Sequence, residues 1–307
     1  RFLFLQDADF SAALLTTGNL TSNALPNYQI WVNPSRGAVA NNIDASIQES
    51  LQASYCGITR AKAQVTLANA DRSMTTRGGN QPKEQFYVHD LQPSTFYDAY
   101  ITLRNNLTEG GTIWPVQQFR TRDDTTCQII YNLAFCNEIA YSVPSNSTLY
   151  NPVALGTYYD NRALAYFQNF SNTMQQYACN VSDDAKYSLV STCDDCKAAY
   201  KDWLCAVTIP RCADTTNPAS FLTLRNQSRS PLLDRDLHPG VYKEVLPCGD
   251  LPRNVARTCP AFIQFWLPSN KTVFDATYGQ RSNNATISCN APGVDFWVAG
   301  ASMQRVN

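Results

Sequence analysis

The chain has 307 residues, 24 Lys+Arg against 25 Asp+Glu, a formal net charge of −1 and 16% charged residues, below the ~25% of ordinary soluble domains. That balance gives no case for nucleic acid or an anionic membrane surface as a partner. Eleven cysteines exceed intracellular usage and point to a disulfide framework built in the secretory pathway. Zinc is a poor competitor: there is one CxxC, and the two histidines, His89 and His238, lie far apart.

Length implies two domains, and the cysteines divide the chain near residue 122, since only Cys56 precedes Cys127. The expectation is α+β: residues 1–122 a β-sandwich-like domain with an inserted helix, residues 123–307 a cysteine-rich, mainly helical domain. In the first part, Asn27–Val32, Ala63–Ala68, Glu84–Val88, Phe96–Leu103 and Val116–Arg122 read as strands between Gly, Asn, Asp and Pro clusters. Asn42–Tyr55 reads as a helix, with Ile43, Ile47 and Leu51 on one face. Trp31 and Trp114 are expected to pack in the core. Cys56 is either a buried thiol or an interdomain partner, because eleven is odd.

The most specific signal in this part is VHDLQPSTFYDAYIT, Val88–Thr102. Its Leu91-x-Pro93-x-Thr95-x-Tyr97 spacing resembles the E–F corner of fibronectin type III domains, which implies a Tyr97 hydroxyl bonded back to the corner.

The second part opens with Cys127 and Cys136 and continues in a helical stretch, Tyr158–Cys179, with Leu164, Phe167 and Phe170 on its apolar face. Next comes CDDCKAAYKDWLCAVTIPRC, Cys193–Cys212. Tyr200, Trp203 and Leu204 fall on one helical face, and Ile209-Pro210 stops the helix. Cys193 and Cys196 sit one turn apart, so each reaches a different neighbour. Ala213–Gly240, with Arg225, Arg229 and Arg235, shows almost no periodicity and reads as a surface loop or a partly disordered one. Cys248, Cys259 and Cys289 complete the framework with Cys179, Cys205 and Cys212, and connectivity stays open. The most apolar pieces, Ala261–Pro268 and Val294–Ala299, are strand-sized. No run approaches the ~18 apolar residues of a membrane span. The start at Arg1 suggests a mature or trimmed product.

Eight Asn-x-Ser/Thr sequons, at Asn19, Asn106, Asn146, Asn169, Asn180, Asn226, Asn270 and Asn284, imply N-linked glycans. Catalysis finds little support: there is no GxSxG, HExxH or P-loop. The pairs Asp123-Asp124, Asp183-Asp184 and Asp194-Asp195 lack EF-hand spacing and read as solvated faces. No metal or cofactor is expected.

Cys127/Cys136, Leu204-Cys205-Ala206…Pro210-Arg211-Cys212, and Pro247-Cys248 with Cys259 together resemble the frizzled-type cysteine-rich domain. The Cys193–Cys196 pair and the arginine-bearing segment depart from that pattern, so frizzled pairing rules do not transfer. CDDCKAAYKDWLCAVTIPRC, with NLAFCNEIAYSVPSN upstream, is very similar to the fungal stretch-activated calcium-channel regulatory subunits, the mating-induced-death proteins. That resemblance implies a glycosylated accessory subunit on the extracellular face of the plasma membrane. Its partner would be the four-repeat, voltage-gated-like pore subunit of the fungal high-affinity calcium channel. Arg225, Arg229 and Arg235 are the candidate docking residues. The frizzled resemblance alone implies a different function, a lipid- or ligand-binding module.

Overall fold

The computed structural model describes residues 2–23, 26–35, 54–60, 69–104, 110–177, 179, 181–182, 187–282 and 287–293. The chain divides into two units, residues 1–129 with 140–142 and residues 130–139 with 143–307.

The first unit holds two antiparallel sheets. One runs β1 (Leu3–Ala8), β2 (Ala13–Thr17), β5 (Lys83–Val88), β4 (Ala70–Thr75). The other runs β3 (Tyr28–Pro34), β6 (Phe96–Arg104), β7 (Gly111–Ile113), with β8 (Gln117–Arg120) also on β6. Placing β4 beside β5 gives the four-plus-three strand order of a constant-type immunoglobulin sandwich. β7 and β8 share the same edge of β6, pairing with Thr102–Arg104 and Phe96–Ala99 respectively. Pro115 lies between them, where a missing N–H interrupts a ladder. The inner faces follow period two: Ile30 and Val32 on β3, and Tyr97, Ala99 and Ile101 on β6, meet Leu15, Phe86 and Val88 in one core.

The sequence expectations for β3, β5 and β6 agree with the structure to within two residues, whereas Val116–Arg122 shortens to β8. Ala63–Ala68 and all but the last residue of Asn42–Tyr55 lie outside the described residues; Tyr55 opens a short helix, α1 (Tyr55–Arg60). β1 and β2 were not expected. A register shift between Leu5 and Asp7 breaks the alternation of β1, and every residue of β2 is buried, so neither carries a period-two pattern. Trp114 packs against the core, stacked on Phe2 at 4.8 Å. Trp31 corrects the expectation. It stands on the opposite face of β3 from Ile30 and Val32, half-buried, and donates its indole N–H to Thr102 Oγ1 at 3.0 Å.

The corner between β5 and β6 forms as the resemblance implied. Tyr97 is fully buried, and its hydroxyl accepts the Gln92 backbone N–H at 2.7 Å. The β1–β2 turn is held by a carboxylate: Asp9 accepts from the N–H groups of Ser11 (2.9 Å), Ala12 (2.7 Å) and Ile129 (3.0 Å). Burial pushes its carboxyl above the ordinary value, against those three bonds and the Arg122 charge.

The second unit mixes helices with small sheets. α2 (Pro152–Met174) begins with Asn151 accepting from Ala154 N and with proline in the first turn. It precedes α3 (Cys193–Thr208), a three-stranded sheet in the order β11 (Arg211–Ala213), β13 (Tyr242–Val245), β12 (Leu222–Arg225), and the helices α4 (Pro231–Leu237), α5 (Asp250–Thr258) and α6 (Lys271–Thr277). β9 (Cys127–Ile130) and β10 (Tyr141–Pro144), whose residues are divided between the two units, pair as a two-stranded ribbon. Gly279 and Asn290 lie beside Cys248 and Pro247 through isolated bridges at Cys248–Gly279 and Pro247–Asn290. A Cβ at Gly279 would sit 2.8 Å from that of Cys289, so this close approach requires glycine.

Ala213–Gly240 is not a loop. It supplies the last residue of β11, all of β12 and all of α4. Both β12 and α4 are too short for a period to show in sequence. Ala261–Pro268, strand-sized in the sequence, forms a single 3-10 turn, Ala261–Ile263, followed by Gln264 in the left-handed region at φ 54. Val294–Ala299 lies outside the described residues.

Candidate functional site

α3 is the hub of the disulfide framework. Thr192 caps it through a reciprocal pair in which Thr192 Oγ1 accepts Asp195 N (3.1 Å) and the Asp195 carboxylate accepts Thr192 N (2.9 Å). The Thr192 N–H and the Thr192 hydroxyl, both donating to it, hold the Asp195 carboxyl below its ordinary value. Cys193 bonds Cys179, Cys196 bonds Cys259, and Cys205 bonds Cys136, so three separate segments are stapled to one helix. Cys193 and Cys196 thus reach different neighbours, as their spacing required. Cys248 bonds Cys289, and Cys127 and Cys212 are also disulfide-bonded. The turn bearing Cys136 is held by Asp160 of α2, whose carboxylate accepts Phe135 N (2.8 Å) and Cys136 N (2.7 Å). Cys56 is exposed on α1, not buried.

The three candidate arginines separate. Arg225 Nε donates to Glu244 Oε2 at 2.6 Å, and Arg229 Nε donates to Glu244 Oε1 at 2.9 Å. Glu244 is wholly buried, with the arginine side chains 19% and 26% exposed. They neutralise an interior charge across β12 and β13 and hold the segment to the sheet. Burial pushes the neighbouring Tyr242 phenol up to about 12, against its hydrogen bond with Ser228 and with the Glu244 charge. Arg235 is different: it is 69% exposed and pairs with Asp236 on α4.

The remaining candidates are local structure. Asp123 pairs with Arg120 at 2.6 Å, and Asp194 with Lys197 at 3.3 Å. Asp183 and Asp184 lie outside the described residues. His89 contacts Asp90 at the surface, and His238 ends α4 at φ 45. Asn19, Asn169, Asn226 and Asn270 are exposed and Asn146 is half-buried, while Asn106, Asn180 and Asn284 lie outside the described residues. At Asn146 the Thr148 hydroxyl of the same sequon donates to Asn146 Oδ1 at 2.6 Å.

An aromatic seat went unrecognised in the sequence. Phe170 of α2 stacks on Tyr200 of α3 at 3.7 Å, Tyr200 meets Trp203 at 5.2 Å, and Phe265 packs edge-on against Trp203 at 4.9 Å. Phe262 stacks on Tyr177 at 5.3 Å yet stays 42% exposed, and Trp266 projects with 81% of its surface in solvent. Pro260 and Pro268, flanking an apolar run, were the signal against a strand.

Residues 1–295 match the Mid1 family, described as a stretch-activated Ca2+-permeable channel component. The chain belongs to the Mid1 family. The match spans both units. This Mid1-family chain is 44% identical over 313 residues to the stretch-activated cation channel yam8 of Schizosaccharomyces pombe, covering 100% of the chain and 63% of that protein. It is 32% identical over 302 residues to the stretch-activated cation channel MID1 of Saccharomyces cerevisiae, covering 89% of the chain and 55% of that protein. The Cryptococcus neoformans MID1 is 24% identical over 264 residues. The Mid1-family chain therefore spans little more than half the length of its first two relatives. Five disulfides mark a Mid1-family chain that matures in the secretory pathway, and among the described residues no helix is long and apolar enough to cross a membrane.

Proposed function

We propose that this chain is the non-catalytic, extracellular part of an accessory subunit of a fungal calcium channel. It docks on the outer face of the four-repeat, voltage-gated-like pore subunit and supports calcium influx. The observation that carries this reading is the Mid1-family match through residues 1–295, across both the sandwich and the disulfide-stapled unit. The segments cross-linked to α3, among them the end of α5, support a frizzled-like arrangement for the second unit, put to use as a rigid docking body. N-linked glycans on Asn19, Asn169, Asn226 and Asn270, all exposed, agree with an extracellular site. Arg235 is the one of the three arginines whose exposure suits partner contact; Arg225 and Arg229 serve Glu244.

The test is calcium uptake in fungal cells lacking the native protein and expressing full-length protein with Cys205→Ser. Loss of the Cys136–Cys205 bridge is expected to abolish uptake and to lower the surface-labelled amount of the protein. Normal uptake at a normal surface level would sink the framework argument. Recovered uptake together with stoichiometric bound lipid would instead support the ligand-binding module.

A further inference from the structure

We infer that the Phe262–Trp266 ridge is the docking anchor of the second unit, and that its partner surface is an acidic face containing an apolar pocket. This rests on the accessory-subunit reading and names the surface it uses.

A tryptophan 81% exposed is an outlier for so large a side chain, and its setting is fixed on both sides. The Cys196–Cys259 bridge pins the start of the segment to α3. Pro260 and Pro268 bracket it. Gln264, at φ 54, turns the chain so that Phe265 enters the aromatic seat against Trp203 while Trp266 stays out. Ile263 packs on the cluster of Phe170, Met174 and the Cys193–Cys196 turn. The side chain is thus presented on a stapled platform, and little order remains to be imposed on binding. Tryptophan, with tyrosine and arginine, is enriched among the anchors near the centre of interfaces.

Charge selects the partner. Between Asp250 and Asp275 the chain carries Arg253, Arg257 and Lys271 and no carboxylate. Arg253 and Arg257 are exposed on α5; Arg253 lies over the Phe274 ring at 4.6 Å, and Arg257 donates to Asn254. Lys271 pairs with Asp275, Asp250 with Arg281, and Asp194 and Asp195 are engaged by Lys197 and by the α3 cap. An apolar ridge with basic flanks complements an acidic surface. Cation-conducting pores concentrate Asp and Glu at their mouths, so the outer face of the pore subunit is the occupant.

The experiment uses full-length protein co-expressed with the pore subunit and purified by its tag in mild detergent. Trp266→Asp should lower recovery of the pore subunit at least about tenfold, the effect of a hot-spot anchor, with an unchanged melting transition. Arg253→Glu combined with Arg257→Glu should lower it less and flatten its dependence on salt. Val153→Asp, at an exposed site on α2, should recover the pore subunit in full. Full recovery with folded Trp266→Asp would overturn the ridge and leave the accessory reading standing. Absence of the pore subunit from the wild-type purification would overturn both. Loss of binding to anionic phospholipid vesicles in Trp266→Asp, with pore recovery intact, would assign the ridge to the membrane surface and also overturn the inference.

Discussion

At the scale of single residues, the features legible in the sequence are those whose chemistry is local. Tyr97 is five residues from the N–H it binds, and Leu91-x-Pro93-x-Thr95-x-Tyr97 carries the corner in one short stretch. Tyr97→Phe should destabilise the sandwich by about 1–2 kcal/mol, read from the midpoint of chemical unfolding; an unchanged midpoint would show that the bond contributes nothing. The cap of α3 is equally local. Because the Asp195 carboxyl is depressed in the folded chain, its contribution is present above the unfolded carboxyl value and fades as pH falls through the folded one. The stability gap between wild type and Asp195→Asn should therefore close in acid. A gap that stays constant from neutral pH to strong acid would contradict the cap. Trp31 was misread for the opposite reason. Its face of β3 is decided by pairing with β6, where it meets Thr102, seventy-one positions away, and a single tryptophan in a short strand carries no phase of its own.

Elements divide along the same line. α3 was legible because Ile209-Pro210 marks its end and Tyr200, Trp203 and Leu204 mark its face; the Thr192–Asp195 cap that starts it is just as local and went unread. β12 and α4 were not: Leu222–Arg225 is a strand because β13 accepts it, with Thr223 opposite Glu244 and Arg225 opposite Tyr242. The polar character that reads as a loop is an interior ion cluster, Arg225 and Arg229 on a fully buried Glu244. Glu244→Gln leaves two guanidinium groups without their charge partner. It should cost about 3–5 kcal/mol, measured as a fall in the thermal midpoint of the second unit. A shift within error would mean that the cluster is solvated in solution. β4, ADRSMT, hid as an edge strand with mostly polar, half-exposed positions.

At the scale of the whole molecule, the two units rest on different physics. The sandwich core contains no cysteine, whereas the second unit is cross-linked through α3, and bridges that close loops of sixty or so residues contribute about 2–4 kcal/mol each. Reduction under native conditions should abolish protection of α3 and α5 amides from hydrogen exchange and spare β2, β5 and β6; uniform loss, or uniform retention, would contradict this division. Composition made the staples legible, while pairing needed the fold, since ten cysteines admit too many connectivities for spacing to decide. The central claim is that the chain works on a channel. It is tested most directly by affinity purification of the tagged full-length protein from gently solubilised fungal membranes, with mass-spectrometric identification of what accompanies it. The account predicts a large four-repeat pore subunit in stoichiometric amount. A folded, glycosylated protein recovered without any channel subunit would contradict it.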